Sequence, residues 1–200
     1  TTRLVGSEMC IRDSYYYVKF FDSDNGVIVC GYAKSNDTNE SSRIYSTSNG
    51  GESWDIVGSG PATNIIKGVV YVSSDVGFFC YDYVEGMDSN LYKTDDGGKT
   101  FAKVMLEEQE LDSSAANPQG QETETKTDSG KNGADSSEQL RWGDVYKEAL
   151  TPVVDSTGII TIYLTQGKNA VYNDGKTAAK YQSSDKGSTW KYIGQVEIKD

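Results

Sequence analysis

The sequence predicts an all-β protein, a partial β-propeller of about three four-stranded blades with a long disordered acidic insertion. Three observations predict this fold class. An eight-residue turn motif occurs three times, and a second hairpin pattern precedes each copy. The composition, with 21 glycines and 14 tyrosines among 200 residues, favours short strands and turns over helices.

The repeated motif reads Ser/Thr-x-Asp/Asn-x-Gly-x-Ser/Thr-aromatic, and we call its copies box 1, box 2 and box 3. They span Thr47–Trp54, Thr94–Phe101 and Ser183–Trp190. A chance match to the motif is expected at about one in 10⁴–10⁵ positions, so three copies indicate a true repeat. The motif positions are Thr47, Asn49, Gly51, Ser53, Trp54, Thr94, Asp96, Gly98, Thr100, Phe101, Ser183, Asp185, Gly187, Thr189 and Trp190.

Each box is predicted to be a tight turn between two short strands. Asn49-Gly50 and Asp96-Gly97 are hairpin dipeptides, because such turns require a positive φ. The Asp side chain can accept backbone N–H groups inside the turn, and the terminal aromatic ring can cover the hairpin. We therefore assign the boxes a structural role, and the catalytic residues stay unknown at this point.

A second predicted hairpin precedes each box, within Phe20–Gly31, Val70–Asp82 and Val153–Leu164. Each contains an apolar stretch, a polar turn and a second apolar run. The run Val27–Val29 is continuous rather than alternating, which is typical of a strand covered on both faces. Two hairpins per repeat give four strands, and stacked propeller blades bury the inner strands on both sides.

These segments resemble Asp-box (BNR) repeats over Tyr15–Met105 and Thr151–Ile193. Such repeats occur in sialidases, xyloglucan-degrading glycosidases, sortilin-type receptors and photosystem II assembly-factor propellers. The residue pattern of the motifs is most similar to that of the last group. The resemblance implies boxes on the outer hairpin of each blade, away from the central channel where ligands bind. Asn49 in place of an acid and Phe101 in place of Trp depart from the family pattern and predict weaker turns.

Spacing and composition divide the chain. Box 1 and box 2 lie 47 residues apart, one blade, whereas box 2 and box 3 lie 89 apart. Residues 107–140 contain nine acids, two lysines and few large apolar side chains, which predicts a disordered acidic loop. The predicted units are an arm at 1–14, two blades at 15–106, the loop at 107–140 and a third blade at 141–200.

The N-terminal arm is interpreted separately. Leu4–Ser14 resembles a translated sequencing-adapter read-through, and the alternative is an ordinary N-terminal arm. Propellers use four to eight blades, so three blades predict an incomplete ring with further blades upstream. The first and last sheets are then expected to expose an apolar face each and to promote self-association.

Several function classes are disfavoured by composition. The net charge of −11 opposes binding to nucleic-acid phosphates. The chain has no histidine, which excludes Ser–His and Cys–His catalysis within it, and no cofactor or metal site is predicted. No apolar run is long enough to span a bilayer. Cys30 and Cys80 lie on corresponding strands and could meet across two blades, although two buried thiols are favoured.

We hypothesise a non-catalytic, extracellular or cell-surface module that binds a protein or glycan as a scaffold. The alternative is a fragment of a glycoside hydrolase that uses two carboxylates. A sialidase arginine triad cannot be built, because only Arg43 and Arg141 lie outside the arm. Acids on strand-connecting turns could serve a hydrolase, but nothing distinguishes them from ordinary turn residues: Asp22, Asp24, Asp75 and Asp155.

Overall fold

The computed structural model describes residues 16–33, 40–111, 141–167 and 172–198. It confirms the predicted all-β fold class, with three antiparallel sheets in chain order. The first sheet contains β1 Tyr16–Phe20, β2 Gly26–Ala33, β3 Glu40–Thr47 and β4 Asp55–Ser59. The second contains β5 Ile66–Tyr71, β6 Gly77–Tyr81, β7 Leu91–Thr94 and β8 Ala102–Lys103. The third contains β9 Glu148–Ala149, β10 Val153–Val154, β11 Ile160–Thr165, β12 Thr177–Ser183 and β13 Lys191–Glu197.

Every sheet is an up-and-down meander in which neighbouring strands along the chain pair with each other. The short β9 adds to the third sheet by pairing with β11. Because the strands are antiparallel, the first turn of a sheet and its box lie at the same end. The Gly50 N–H donates to the Asp24 carbonyl at 2.8 Å, and Gly97 makes the same contact with Asp75 at 2.8 Å. We call this the box end and the opposite one the loop end.

The sheets pack face to face in sequence order, as blades of a partial propeller do. We call the face of a sheet toward earlier residues its N-face and the other its C-face. The C-face of the first sheet packs on the N-face of the second through side chains that include Val27, Val29, Ile44, Val69 and Phe79. The C-face of the second packs on the third through side chains that include Phe78, Cys80, Leu91, Ile160 and Ile162.

Strand β6 is central to this arrangement, because all five of its residues are buried. Phe79 and Tyr81 point toward the first sheet, whereas Phe78 and Cys80 point toward the third. The prediction of an inner strand covered on both faces is therefore confirmed for the second sheet. Among the described residues, the continuous apolar run of β2 is covered on its C-face, and its Ile28 is half-buried on the other.

Cys30 and Cys80 do not meet. Cys80 is buried against the third sheet, and its thiol donates to the Ala149 carbonyl at 3.2 Å. Cys30 is the neighbour of Val29 along β2, so its side chain points to the opposite face, which is the N-face of the first sheet. Its partner in the register of β2 and β3 is Arg43. No disulfide joins them. The suggestion that they could meet across the interface is wrong, because the first sheet presents Val27 and Val29 there instead.

Some predictions fall outside the described residues. The arm at 1–14 lies outside them, as do residues 112–140 of the acidic loop. Residues 107–111 are described and lie on the third sheet, where the Tyr181 hydroxyl donates to the Glu107 carbonyl at 2.6 Å. The chain then enters the third sheet through a short helix, α1, at Trp142–Val145. No helix in the described part of the chain is long and apolar enough to cross a membrane.

Candidate functional site

The carboxylates of box 2 and box 3 are fully engaged by their own turns. In box 2, Asp96 Oδ1 accepts the Thr94 hydroxyl at 2.9 Å and two backbone N–H groups, from Lys99 at 3.0 Å and Thr100 at 2.8 Å. Its Oδ2 accepts the Thr100 hydroxyl at 2.6 Å. Asp185 repeats this set with Ser183, Ser188 and Thr189.

These hydrogen bonds stabilise the ionised form of each carboxylate. The Thr100 hydroxyl and backbone N–H hold the pKa of Asp96 well below its ordinary value of 3.8. The Thr189 hydroxyl and N–H lower the pKa of Asp185 in the same way. A general acid requires the opposite shift, so this environment supports a turn-stabilising role.

Box 1 keeps the turn with a neutral side chain. Asn49 Oδ1 accepts the Thr47 hydroxyl at 2.8 Å and the Ser53 N–H at 3.0 Å, and its amide donates to the Ser53 hydroxyl at 2.9 Å. The Glu52 N–H contacts the Asn49 main-chain carbonyl at 3.4 Å rather than the side chain. Box 1 thus retains the shape of the others with one fewer backbone N–H bound to the side chain.

The box glycines lie against the preceding sheet. Gly98 and Gly187 have φ of 106° and 78°, in the left-handed region that favours glycine. A Cβ at Gly98 would lie 3.0 Å from Ile44 Cδ1 of the first sheet, and one at Gly187 would lie 2.5 Å from Phe78 Cζ of the second. Box 2 and box 3 therefore close a turn and also contact the neighbouring sheet.

A groove lies at the loop end of the described part of the chain, between the second and third sheets. Its volume is about 470 Å³, within the usual range for ligand pockets. It is formed by the β6–β7 connection, the segment after β8, and the residues from α1 to β9. Charged and large apolar side chains line the groove, among them Glu85, Met87, Asp88, Met105, Glu108, Arg141, Trp142, Asp144 and Lys147.

The base of this groove is held by Asn90, which is 1 % exposed. Its side-chain amide donates to the Tyr81 carbonyl at 2.7 Å and the Ala149 carbonyl at 3.0 Å. Its carbonyl oxygen accepts the Ala149 N–H at 2.8 Å. One buried side chain thus joins the second sheet to the third at the base of the groove.

One side of the groove is built from packed aromatic rings. Trp142 is 4 % exposed, and its ring centroid lies 4.6 Å from that of Tyr146 and 5.3 Å from that of Tyr192. The Glu108 carboxylate lies against Gly143, where a Cβ would be 2.5 Å from Oε1. Aromatic packing therefore anchors α1 beneath a carboxylate that lines the groove.

The groove is acidic, with four carboxylates among its lining residues against one Arg and one Lys. Lys147 pairs with Glu85 at 3.0 Å, which links the β9 side to the β6–β7 connection. Asp88 pairs with Lys103 at 2.6 Å, and this contact lowers the pKa of Asp88. Met105, 64 % exposed, adds apolar surface.

Sequence reasoning did not find this groove. Its residues come from three connections without a repeated pattern, and only tertiary packing brings them together. The acids considered from the sequence belong to turns at the box end instead. Asp22 accepts the N–H groups of Asp24 and Asn25 at 2.8 and 2.7 Å, and Asp155 accepts that of Thr157 at 2.8 Å.

No family model matches this chain, and no curated protein matches it. Among solved structures it is similar to an oligogalacturonate lyase in complex with manganese, at a TM-score of 0.48 and 8 % sequence identity. The match covers 86 % of this chain and 39 % of that one, so the chain spans well under half of the lyase. A match at this level says nothing about chemistry, and the Asp-box assignment stays a prediction.

Proposed function

We propose that this chain is a binding module that holds a protein or glycan in the loop-end groove without carrying out catalysis. The observation that supports it best is the groove itself, a cavity of about 470 Å³ above the buried Asn90 contacts between two sheets. A few polar groups on a rigid, partly apolar surface are typical of ligand sites. The boxes, at the other end of the sheets, then serve stability.

Two of the four carboxylates in the groove form ion pairs, which favours a binding role over hydrolysis. Glu85 and Asp88 are paired with lysines, and the pKa of Asp88 is lowered. A glycosidase acid needs a raised pKa beside a second carboxylate at a defined separation. The excess of carboxylates in the groove favours neutral or cationic ligands over anionic ones.

The proposal can be tested by amide chemical-shift titration of the ¹⁵N-labelled chain. Three probes cover the ligand classes: a neutral xyloglucan oligosaccharide, a peptide of alternating Lys and Leu, and a polyanionic oligosaccharide. We expect one of the first two to shift amides of the β6–β7 connection and α1, and the anionic probe to shift none. Met105→Lys should weaken that binding by about tenfold.

Val153→Lys is the matched control, because Val153 is 59 % exposed and lies on the far side of the third sheet. It should leave binding unchanged. Shifts confined to the box end would contradict the proposal. Turnover of the xyloglucan probe that Glu85→Gln or Glu108→Gln abolishes would replace the binding module with the hydrolase alternative.

A further inference from the structure

The carboxylates that line the loop-end groove differ in their partners. Glu85 and Asp88, on the β6–β7 connection, each form an ion pair with a lysine. Glu108 and Asp144 form no ion pair and no side-chain hydrogen bond with the described residues. Arg141 is the remaining charged side chain of the lining, so these two carboxylates outnumber the one cation that is left.

Glu108 and Asp144 come from different segments of the chain and meet at α1. The Glu108 carboxylate lies against the backbone of Gly143, where a Cβ would be 2.5 Å from Oε1, and Asp144 is the next residue along the chain. Both acidic residues are exposed. An ammonium or guanidinium group that binds here would form charge-assisted hydrogen bonds, which are stronger than those between neutral groups.

Methionines supply apolar surface in the same groove. Two of the three methionines of the chain, Met87 and Met105, line it although they lie on different connections. Met105 is 64 % exposed and Met87 is half-buried. Unbranched thioether side chains adapt to apolar groups of varied shape and are common on surfaces that bind varied partners. The groove therefore combines an adaptable apolar surface with two unpaired carboxylates.

A glycan would find few of the groups that it needs in this groove. A sugar ring packs on an exposed aromatic face, but Trp142 and Tyr146 are only 4 % and 3 % exposed. Tyr83 is the one lining ring that is half-buried in the described part of the chain. Asn90 also lines the groove, but its amide and carbonyl groups are occupied by main-chain atoms of the two sheets. These observations favour a peptide over a glycan.

We infer that the ligand of the groove is a peptide segment that presents a Lys or Arg side chain beside a large aliphatic one. This inference rests on the proposed function and selects a protein ligand over a glycan. The cationic side chain binds at Glu108 and Asp144, and the aliphatic side chain packs on Met87 and Met105. The net charge of −11 attracts any basic chain, whereas the methionines distinguish a segment that is also apolar.

The test compares matched peptides by amide chemical-shift titration of the ¹⁵N-labelled full chain at about 0.15 M salt. One peptide alternates Lys and Leu, one alternates Lys and Ser, and one alternates Glu and Leu. We expect the Lys/Leu peptide to shift amides of the β6–β7 connection and α1, with a Kd about tenfold or more below those of the other two. A neutral xyloglucan oligosaccharide, added in parallel, should leave these amides unchanged.

Variants of the chain locate the bound cationic side chain. Glu108→Gln with Asp144→Asn should raise the Kd of the Lys/Leu peptide by about tenfold, because both carboxylates become neutral amides. Glu52→Gln with Asp55→Asn is the matched control at the box end, where both residues are exposed, and it should leave the Kd unchanged. The charge reversal Glu108→Lys should weaken binding of the Lys/Leu peptide and strengthen that of the Glu/Leu peptide, which a loss of folding cannot produce.

The outcomes separate this inference from the proposed function. Groove shifts caused by xyloglucan would overturn the inference and leave the binding module in place. Equal affinities for the Lys/Leu and Lys/Ser peptides would also overturn it, because binding would then be a diffuse attraction to an acidic chain. An unchanged Kd in the Glu108 and Asp144 variant would do the same. The absence of groove shifts with every probe would contradict the proposed function as well.

Discussion

The two outer faces of the stack differ in chemistry although both belong to the same repeat. On the N-face of the first sheet, one cross-strand row reads Val18, Ile28, Tyr45, Ile56. On the C-face of the third sheet, the corresponding outer row reads Val153, Thr161, Gln182, Lys191. Both rows cross four strands, but only the first is apolar throughout.

The residues at the centre of each C-face show the same difference in polarity. At the centre of the C-face, the first sheet has Val29 and Ile44 and the second has Cys80 and Leu91, whereas the third has Tyr163 and Lys180. A polar outer face is how repeat proteins tolerate solvent at the end of a stack. The expectation of an exposed apolar face at each end therefore fits the first sheet better than the third, whose outer row is mixed and includes Val153, which is 59 % exposed.

The largest expected difference in stability is between substitutions at a covered and at an exposed position of the repeat. Phe79→Ala should lower the free energy of unfolding by about 3–5 kcal/mol, since it leaves a cavity between two sheets. Ile28→Ala, at the corresponding place in the first sheet, should cost about 1 kcal/mol or less. Urea unfolding measures both. Equal losses would mean that the N-face of the first sheet is covered in solution.

A smaller contrast lies in the box glycines. Gly187→Ala and Gly51→Ala both impose a positive φ on alanine, at about 1–2 kcal/mol each. Gly187→Ala also drives a Cβ to 2.5 Å from Phe78, which should add about 1–3 kcal/mol of overpacking. In denaturant titrations Gly187→Ala should be the more destabilising of the two. Equal values would show that the boxes do not contact the preceding sheet.

The smallest expected effect is a pH dependence of the boxes. The folded-state pKa of Asp185 lies below 3.8, so its stabilising effect is complete above that value and is lost as the pH falls below it. Asp185→Asn should therefore destabilise the chain at neutral pH, and the difference from wild type should shrink in acid. Asn49→Asp should show the reverse gain at neutral pH. Unfolding midpoints from pH 7 down to the acid limit provide the measurement, and a pH-independent difference would contradict it.

The sequence predicted the local features well. Box turns depend on residues within eight positions of one another, so Thr47, Asp96 and Asp185 could be assigned without tertiary knowledge. Their structural role stays a prediction until such variants are measured. The sequence placed Cys30 and Cys80 on opposite sheet faces, as the structure does, but alternation along a strand does not show which face meets the neighbouring sheet, and these two faces point away from each other.

The groove could not be predicted, because its parts come from connections far apart in the chain. The outer faces could not be compared from the sequence either, because β11 lies further along the chain from box 3 than β2 does from box 1. Only the strand pairing shows that Thr161 and Tyr163 of β11 are equivalent to Val27 and Val29 of β2.

Native-state amide hydrogen exchange tests the central claim most directly, namely that one repeated face is covered in the second sheet and open in the first. It compares the equivalent strands β6, Gly77–Tyr81, and β2, Gly26–Ala33. We predict that β6 amides exchange only by global unfolding, whereas β2 amides exchange through a smaller opening of lower free energy. Equal free energies of exchange in the two strands would contradict the account.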